Sequence, residues 1–334
     1  MGSFLEKPVT EKETSEQSGE LKDGGSLQYG VSAMQGWRVN MEDAHVHRIG
    51  LGDRGDLGLF GVFDGHGGRL VACHAAENLE AEICGNEHFS KLPAAGTSSA
   101  GKEAAATLGK AVCAAFLSLD KKMRELDQIK GGVDHSGSTA VVSFITPSHY
   151  VVGNCGDSRL VICGEDKVLF SSLDHKPTQP SEQARIENAG GTVSFRRVNG
   201  DLAVSRALGD FLYKANDSLP DVEQQVSAEP DVSVIARKPT DQFVLLACDG
   251  IWDVMSNEAV CSFVLTKMRE GLPLSLICED LIDHCLDLGS RDNMSVIIVA
   301  LPGAPSELGS KSIDDVRKAR EASEDTSMAQ VAGA

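Results

Sequence analysis

Two apolar runs of strand length in this chain end on the same dipeptide. Leu57-Gly-Leu-Phe-Gly-Val-Phe63 leads directly into Asp64-Gly65-His66-Gly67-Gly68, and Val244-Leu-Leu-Ala-Cys248 leads into Asp249-Gly250. An Asp at the exit of a buried strand has its backbone held by the ladder, and the glycine after it permits a tight turn and close approach of another group. Two further acidic elements are similarly placed: Arg38-Val-Asn-Met-Glu42-Asp43 upstream, and Gly289-Ser-Arg-Asp292-Asn293 before the final apolar run. Any one of them taken alone reads better as a surface turn, since Asp-Gly is a common turn dipeptide. Four together, remote in sequence yet alike in position, point to a common site.

The surrounding pattern supplies the scaffold. Gly67 to Cys84 carries Val71, Leu79 and Ile83 at helical spacing, and from Ala104 to Asp127 the positions Leu108, Val112, Phe116, Leu119, Met123 and Leu126 predict a long helix. Ala140–Ile145, Tyr150–Val152, Leu160–Cys163 and Val168–Phe170, separated by turn residues, read as a β meander. Pro180 to Ala189 predicts a short helix stopped by Gly190-Gly191, and Phe243 to Leu301 reads strand, helix, helix, strand. Ala94 to Lys102 and Asn216 to Glu229 read as loops. Strands in groups with helices at both ends suggest two sheets packed face to face and covered by helices. The first 27 residues and those from 303 to 334 lack periodicity and are expected to be flexible tails around one domain spanning 28–302.

Charge and composition narrow the function. With 31 basic and 49 acidic residues the 334-residue chain carries a net charge of −18, which argues against a general binder of nucleic acid, whose affinity comes from clustered Lys and Arg. Metal cations are the expected electrostatic partners. No run of 18 apolar residues is present and the first 28 residues contain no apolar signal core, so neither a transmembrane segment nor secretion is expected. Nine cysteines, none in a Cys-x-x-Cys pair, fit reduced thiols in a cytoplasmic or nuclear protein.

Carboxylates without His or Cys at ligand spacing select hard cations, favouring Mg²⁺ or Mn²⁺ over zinc or copper. Convergence of Asp64, Asp249, Asp292 and Glu42 without metal would raise some of their pKa values by repulsion. Two ions about 3.5–4 Å apart relieve that repulsion, acidify a bridging water and neutralise a phosphoryl group during in-line displacement.

Seven ordered motifs then carry a family resemblance: Gly36-Trp-Arg38-Val-Asn-Met-Glu42-Asp43-Ala-His45, Val62-Phe-Asp64-Gly65-His66-Gly67-Gly68, Ser136-Gly-Ser-Thr139-Ala, Gly156-Asp157-Ser-Arg159, Leu202-Ala-Val-Ser-Arg-Ala-Leu-Gly-Asp210, Cys248-Asp249-Gly250-Ile-Trp-Asp253 and Ser290-Arg-Asp292-Asn293. Over residues 28 to 302 the chain resembles the metal-dependent Ser/Thr protein phosphatases of type 2C. The resemblance implies an α+β fold, a four-layer α-β-β-α sandwich of two antiparallel sheets flanked by helices. It also implies hydrolysis of phosphoserine and phosphothreonine on proteins, with two Mn²⁺ or Mg²⁺ ions in a cleft between the sheets. Carried over by position, Asp64 bridges both ions, Asp249 and Asp292 bind the first, Glu42 and the Gly65 carbonyl bind the second, and Asp43 acts through water. Asp157 and Asp253 resemble ligands of a weaker third ion.

Arg38 resembles a phosphate clamp, a task suited to a planar fork of donors that stays charged. His66 between glycines could be a plain turn residue; the resemblance makes it the general acid that protonates the departing seryl or threonyl oxygen. The implied mechanism is direct attack by a metal-bridging hydroxide with no phosphoenzyme. No cysteine is followed by Arg at the Cys-x5-Arg spacing of thiolate phosphatases. Asp174 to Asp210, with Arg196 and Arg197, is expected to form a flap that meets phosphoprotein substrates. A non-catalytic partner-binding relative is the alternative, and it would be expected to have lost several ligand carboxylates. A two-metal nuclease lacks the basic tract to hold its substrate.

No motif supports an oligomer, so a monomer is expected. The animal members that this N-terminus most resembles carry an extra helical domain after the catalytic core, where this chain has a short polar segment after Pro302. Met1-Gly2-Ser3-Phe4-Leu5 resembles a myristoylated N-terminus, although Glu6 stands where the simple rule wants Ser or Thr. A single acyl chain there would give weak, reversible peripheral membrane association.

Overall fold

Successive side chains of a strand point to opposite faces, so a strand that is apolar throughout needs cover on both sides. That cover is present in the computed structural model of the protein, which describes residues 4–93 and 101–332, side chains beyond 322 excepted. In Asp241–Ala247, Phe243, Leu245 and Ala247 pack under helices, while Val244 and Leu246 face the other sheet. Met294–Ala300 divides in the same way, with Val296 and Ile298 under the helices and Ile297 and Val299 between the sheets. In Arg54–Phe63, Leu59 and Phe63 meet helices and Phe60 and Val62 meet the opposite sheet.

Two antiparallel sheets result. One has six strands in the order Phe4–Leu21, Gly25–Arg38, Met294–Ala300, Asp241–Ala247, Arg159–Gly164 and Lys167–Ser171. The other has five, Asp231–Ala236, His149–Cys155, Ala140–Ile145, Arg54–Phe63 and Ala44–Leu51. Helices Asn257–Arg269 and Leu274–Asp287 cover the first sheet, and Leu70–Cys84 and Lys102–Met123 cover the second. This is the four-layer α-β-β-α sandwich expected from the motifs. Among the described residues no helix is long and apolar enough to cross a membrane.

Several local expectations need correction. The meander over 138–170 is divided: Ala140–Ile145 pairs with His149–Cys155 in one sheet, and Arg159–Gly164 pairs with Lys167–Ser171 in the other. The chain changes sheets at Gly156, whose φ of +115° favours glycine, and Asp157 is carried on that corner. The expected N-terminal tail is an edge strand from Phe4 to Leu21, paired antiparallel with Gly25–Arg38. It shows no periodicity because main-chain hydrogen bonds, which any residue except proline supplies, recruit it. Pro8 is tolerated on this sheet edge, where the register is irregular. Polar contacts anchor it: the Ser275 amide and hydroxyl donate to Glu16 at 2.9 and 2.6 Å, and Lys12 pairs with Asp283 at 2.7 Å.

The expected C-terminal tail is also ordered in part. The amides of Gly309 and Lys311 donate to the carbonyls of Leu272 and Gly271, and helix Ile313–Ala332 lies beside Leu274–Asp287 through Arg317–Glu279 and Arg320–Asp280. The short helix runs Pro180–Asn188, and the loop over Asn216–Glu229 contains a 3₁₀ turn at Asp221–Glu223 and a single bridge from Ser227 to Arg206. The loop expected at Ala94–Lys102 falls, up to residue 100, outside the described residues, as does Gly2.

Candidate metal and catalytic centre

In antiparallel neighbours the exit of one strand lies beside the entrance of the next. Ala247 pairs with Val296 on one side and with Arg159 on the other, Met294 pairs with Met34, and Phe63 pairs with Ala44. The ends that carry Arg38, Glu42, Asp64, Asp157, Asp249 and Asp292 therefore meet at one edge of the sandwich. All six side chains, with Gly65 and His66, line a single open cleft of ≈ 280 Å³ between the sheets. Asp43 lies beneath it, buried, with Oδ2 accepting from the Ser295 hydroxyl at 2.7 Å. Asp253 is exposed, one turn beyond Asp249, and stands at the rim rather than in the lining.

Close main-chain packing makes the convergence possible. A Cβ on Gly65 would stand 2.3 Å from the Glu42 carbonyl oxygen, so only glycine lets the Asp64 turn lie against the Glu42 segment. Asn293 ties that segment down. Its Oδ1 accepts from the Glu42 amide at 2.9 Å, and its Nδ2 donates to the carbonyls of Gln35 and Asn40 at 2.8 and 3.0 Å. Arg38 Nη2 donates to Asp292 Oδ2 at 2.5 Å, while Arg38 Nε is buried without a partner in the structure.

The charges are costly as arranged. Oxygens of Asp64, Asp157 and Asp249 lie within 4.8 Å of one another, as do those of Asp43 and Asp64 with the Cys248 sulfur. Burial, then repulsion from Asp249, Asp43, Asp157 and Asp292, drives the Asp64 pKa well above the ordinary carboxylate range. Burial, then Asp157, Asp292 and Asp253, does the same to Asp249. Burial pushes Asp43 up to about 7, against the bond from Ser295. Asp43 Oδ1 is buried with no hydrogen-bond partner. An orphaned buried oxygen among crowded carboxylates, with oxygen donors dominating the set, fits hard divalent cations.

His66 is not a lone imidazole. Its Nε2 lies 2.7 Å from Asp210 Oδ2 across a small sheet formed by Gly65–His66, Gly137–Ser138 and Leu208–Gly209. Burial disfavours the imidazolium, but Asp210 and more distant carboxylates outweigh it, and the His66 pKa is raised. Gly137 permits the contact, since a Cβ there would fall 2.4 Å from Nε2. Asp210 closes a motif that marked the family without suggesting this partner, 144 residues away in the chain. Asn293 likewise stood in a motif without a role.

The flap segment reaches the cleft. Arg197, Leu202, Ala203 and Val204 form one wall, and the hairpin Val193–Ser194 with Arg197–Val198 presents Phe195, 91% exposed, at its tip.

A family model described as Protein phosphatase 2C matches residues 27–294. The chain belongs to that family, and its reaction is metal-dependent hydrolysis of phosphoserine and phosphothreonine in proteins. It is 46% identical over 306 residues to Protein phosphatase 1B of Mus musculus and 47% identical over 307 residues to Protein phosphatase 1A of Homo sapiens. Each alignment covers 91% of this chain and 77% of the relative. Among solved structures it resembles a phosphatase from Toxoplasma gondii at 27% identity with a TM-score of 0.70, covering 87% of this chain and 96% of that one. The carboxylates that a non-catalytic relative would lose are all in place.

Proposed function

We propose that two hard divalent cations, Mn²⁺ or Mg²⁺, are held at this cleft by Asp64, shared between them, with Asp249 and Asp292 on one side and Glu42 and the Gly65 carbonyl on the other. Asp43 stands behind them through water. The observation that carries this reading is the crowding of Asp64 against Asp157 and Asp249 over the unpartnered Asp43 Oδ1. When bound, such a pair acidifies water and offsets charge on a phosphoryl group.

The chain's own groups do the rest. Arg38 stands at the cleft with Nε unpartnered, so its guanidinium can turn donors toward phosphoryl oxygens while Asp292 holds one end. Asp210 orients His66 and favours its protonated form, suiting it to give a proton to the departing seryl or threonyl oxygen. Arg197 on the cleft wall and the exposed Phe195 beside it suit a phosphoprotein segment that carries acidic and apolar residues next to the phosphorylated one.

Calorimetric titration of Mn²⁺ into EDTA-stripped protein tests the centre. Two tight equivalents are expected, with hydrolysis of a phosphothreonine peptide lost on stripping and restored on their return; failure to take up stoichiometric Mn²⁺ would sink the reading. For the acid, His66→Gln is expected to lower turnover of a phosphoserine peptide by about 10²–10⁴-fold. Turnover of an aryl phosphate, whose leaving group needs no proton, should change far less. Equal damage to both substrates would remove His66 from that role.

A further inference from the structure

Lys176 places an ammonium group against Asp157, one of the acids that line the cleft. Its Nζ donates to Asp157 Oδ2, and its charge also acts on Asp249 and Asp253. Asp157 is itself buried, on the corner where the chain changes sheets, and its oxygens approach those of Asp64 and Asp249.

The backbone that carries Lys176 is firmly held. The His175 amide donates to the Gly156 carbonyl at 2.8 Å, and the Gly156 amide donates back to His175 Nδ1 at 3.1 Å. Arg159 grips Asp174 with two hydrogen bonds of 2.9 and 2.8 Å, and Gln179 Nε2 donates to the Asp174 carbonyl at 2.5 Å. Pro177 follows. With the turn pinned on both sides of Lys176, its four-carbon side chain is the part free to leave Asp157. Paired with a carboxylate, a lysine side chain is a cation at neutral pH.

We infer that Lys176 is the built-in occupant of the third cation position formed by Asp157, Asp249 and Asp253, and that its ammonium and a third divalent ion exclude each other. The inference rests on the reading of those three carboxylates as a third-ion site. Two cations cannot share the same Asp157 oxygen without close like-charge contact in a partly buried setting. A third ion binds only once Lys176 has swung out, and its affinity is reduced by the ion pair it must break. Lys176 makes its direct contact with Asp157 and acts on Asp249, a ligand of the pair, only through its charge, so the two-ion centre should be affected much less than the third position. Lys176 therefore separates a tightly held catalytic pair from a third ion that enters only at higher concentration.

The experiment is calorimetric Mn²⁺ titration of the full chain, with bound Mn²⁺ counted by electron paramagnetic resonance, for wild type, Lys176→Met, Lys176→Arg and the double variant Lys176→Met with Asp157→Asn. Lys176→Met is expected to take its third equivalent about tenfold more tightly than wild type, the low end of the coupling between close charge pairs. The first two equivalents should change far less than the third. Lys176→Arg, which keeps the competing charge, should behave as wild type, and the double variant should lose the third equivalent. If Lys176→Met does not fold, Lys176→Gln carries the same expectation, with a neutral donor left near Asp157. Equal third-ion affinity in wild type and the neutral variants would overturn the competition while leaving the third site standing. Absence of a third equivalent from every protein would sink the site itself, and the inference with it.

Discussion

Asp64→Asn should abolish phosphatase activity and at the same time raise the melting temperature of the metal-free protein. Asp64 lies at the centre of the crowded carboxylates, and its raised pKa records how unfavourable its charge is there. Asparagine keeps the shape and removes the charge, relieving repulsion from Asp249, Asp43, Asp157 and Asp292 together. A gain of about 1 kcal/mol would lift the melting temperature by roughly 2 °C in a domain of this size. The loss of activity should reach at least about 10³-fold, or ~4 kcal/mol of barrier, because the same charge is the one we propose to hold the cations. The increment in melting temperature produced by Mn²⁺ should shrink in the variant. Thermal unfolding with EDTA and with Mn²⁺, read beside peptide hydrolysis, checks each part. A metal-free variant that melts below wild type would show that the carboxylates are not in conflict.

The same conflict sets an unusual pH dependence. The Asp43 carboxyl titrates near 7 in the folded protein, against about 3.9 in an unfolded chain. Between those values the folded state binds more protons than the unfolded one, so stability falls as pH rises. Its contribution is fully present below about pH 4 and gone above pH 7. Asp64 and Asp249, raised further, act in the same direction and extend the window upward. His66, whose pKa is also raised, adds stability that is lost as pH rises through its folded value. The EDTA-treated protein should therefore melt at a higher temperature at pH 5 than at pH 7.5, by an amount on the order of a few kcal/mol in stability. Cations reverse the trend, because ligands must be deprotonated to bind and metal uptake releases protons. The gain from saturating Mn²⁺ should grow across the same range. Parallel melting curves with and without Mn²⁺ would show that these carboxyls do not titrate as a metal-linked set.

Both expectations follow from a site whose acids come from five separate places in the chain. Carboxylates crowded in this way fit a centre that takes up cations, which would offset what the fold alone does not. His66 and Arg38 are placed by a different means, each beside one carboxylate, Asp210 and Asp292, that holds its orientation.

Helix Lys102–Met123 and the core strands are legible in the amino-acid sequence because burial of side chains imposes a period on the residues themselves. Asp64 and Asp249 stand out because a carboxylate after an apolar run is a local pattern. The N-terminal edge strand leaves no such trace, since its ladder uses main-chain groups common to almost every residue. The division of the meander between two sheets is equally hidden: a turn shows that a chain reverses, whereas the packing behind it decides which sheet it joins. Asp210 against His66, Asn293 against the Glu42 segment and Lys176 against Asp157 are contacts between segments well separated in the chain, and no local pattern announces them.

The amino-acid sequence by itself determined the layers, the strand exits and the carboxylates that gather there, because hydrophobic periodicity and turn chemistry act over a few neighbouring residues. Only the tertiary structure decided which cation neutralises which acid, since that choice depends on distances set by the packing of two sheets against each other.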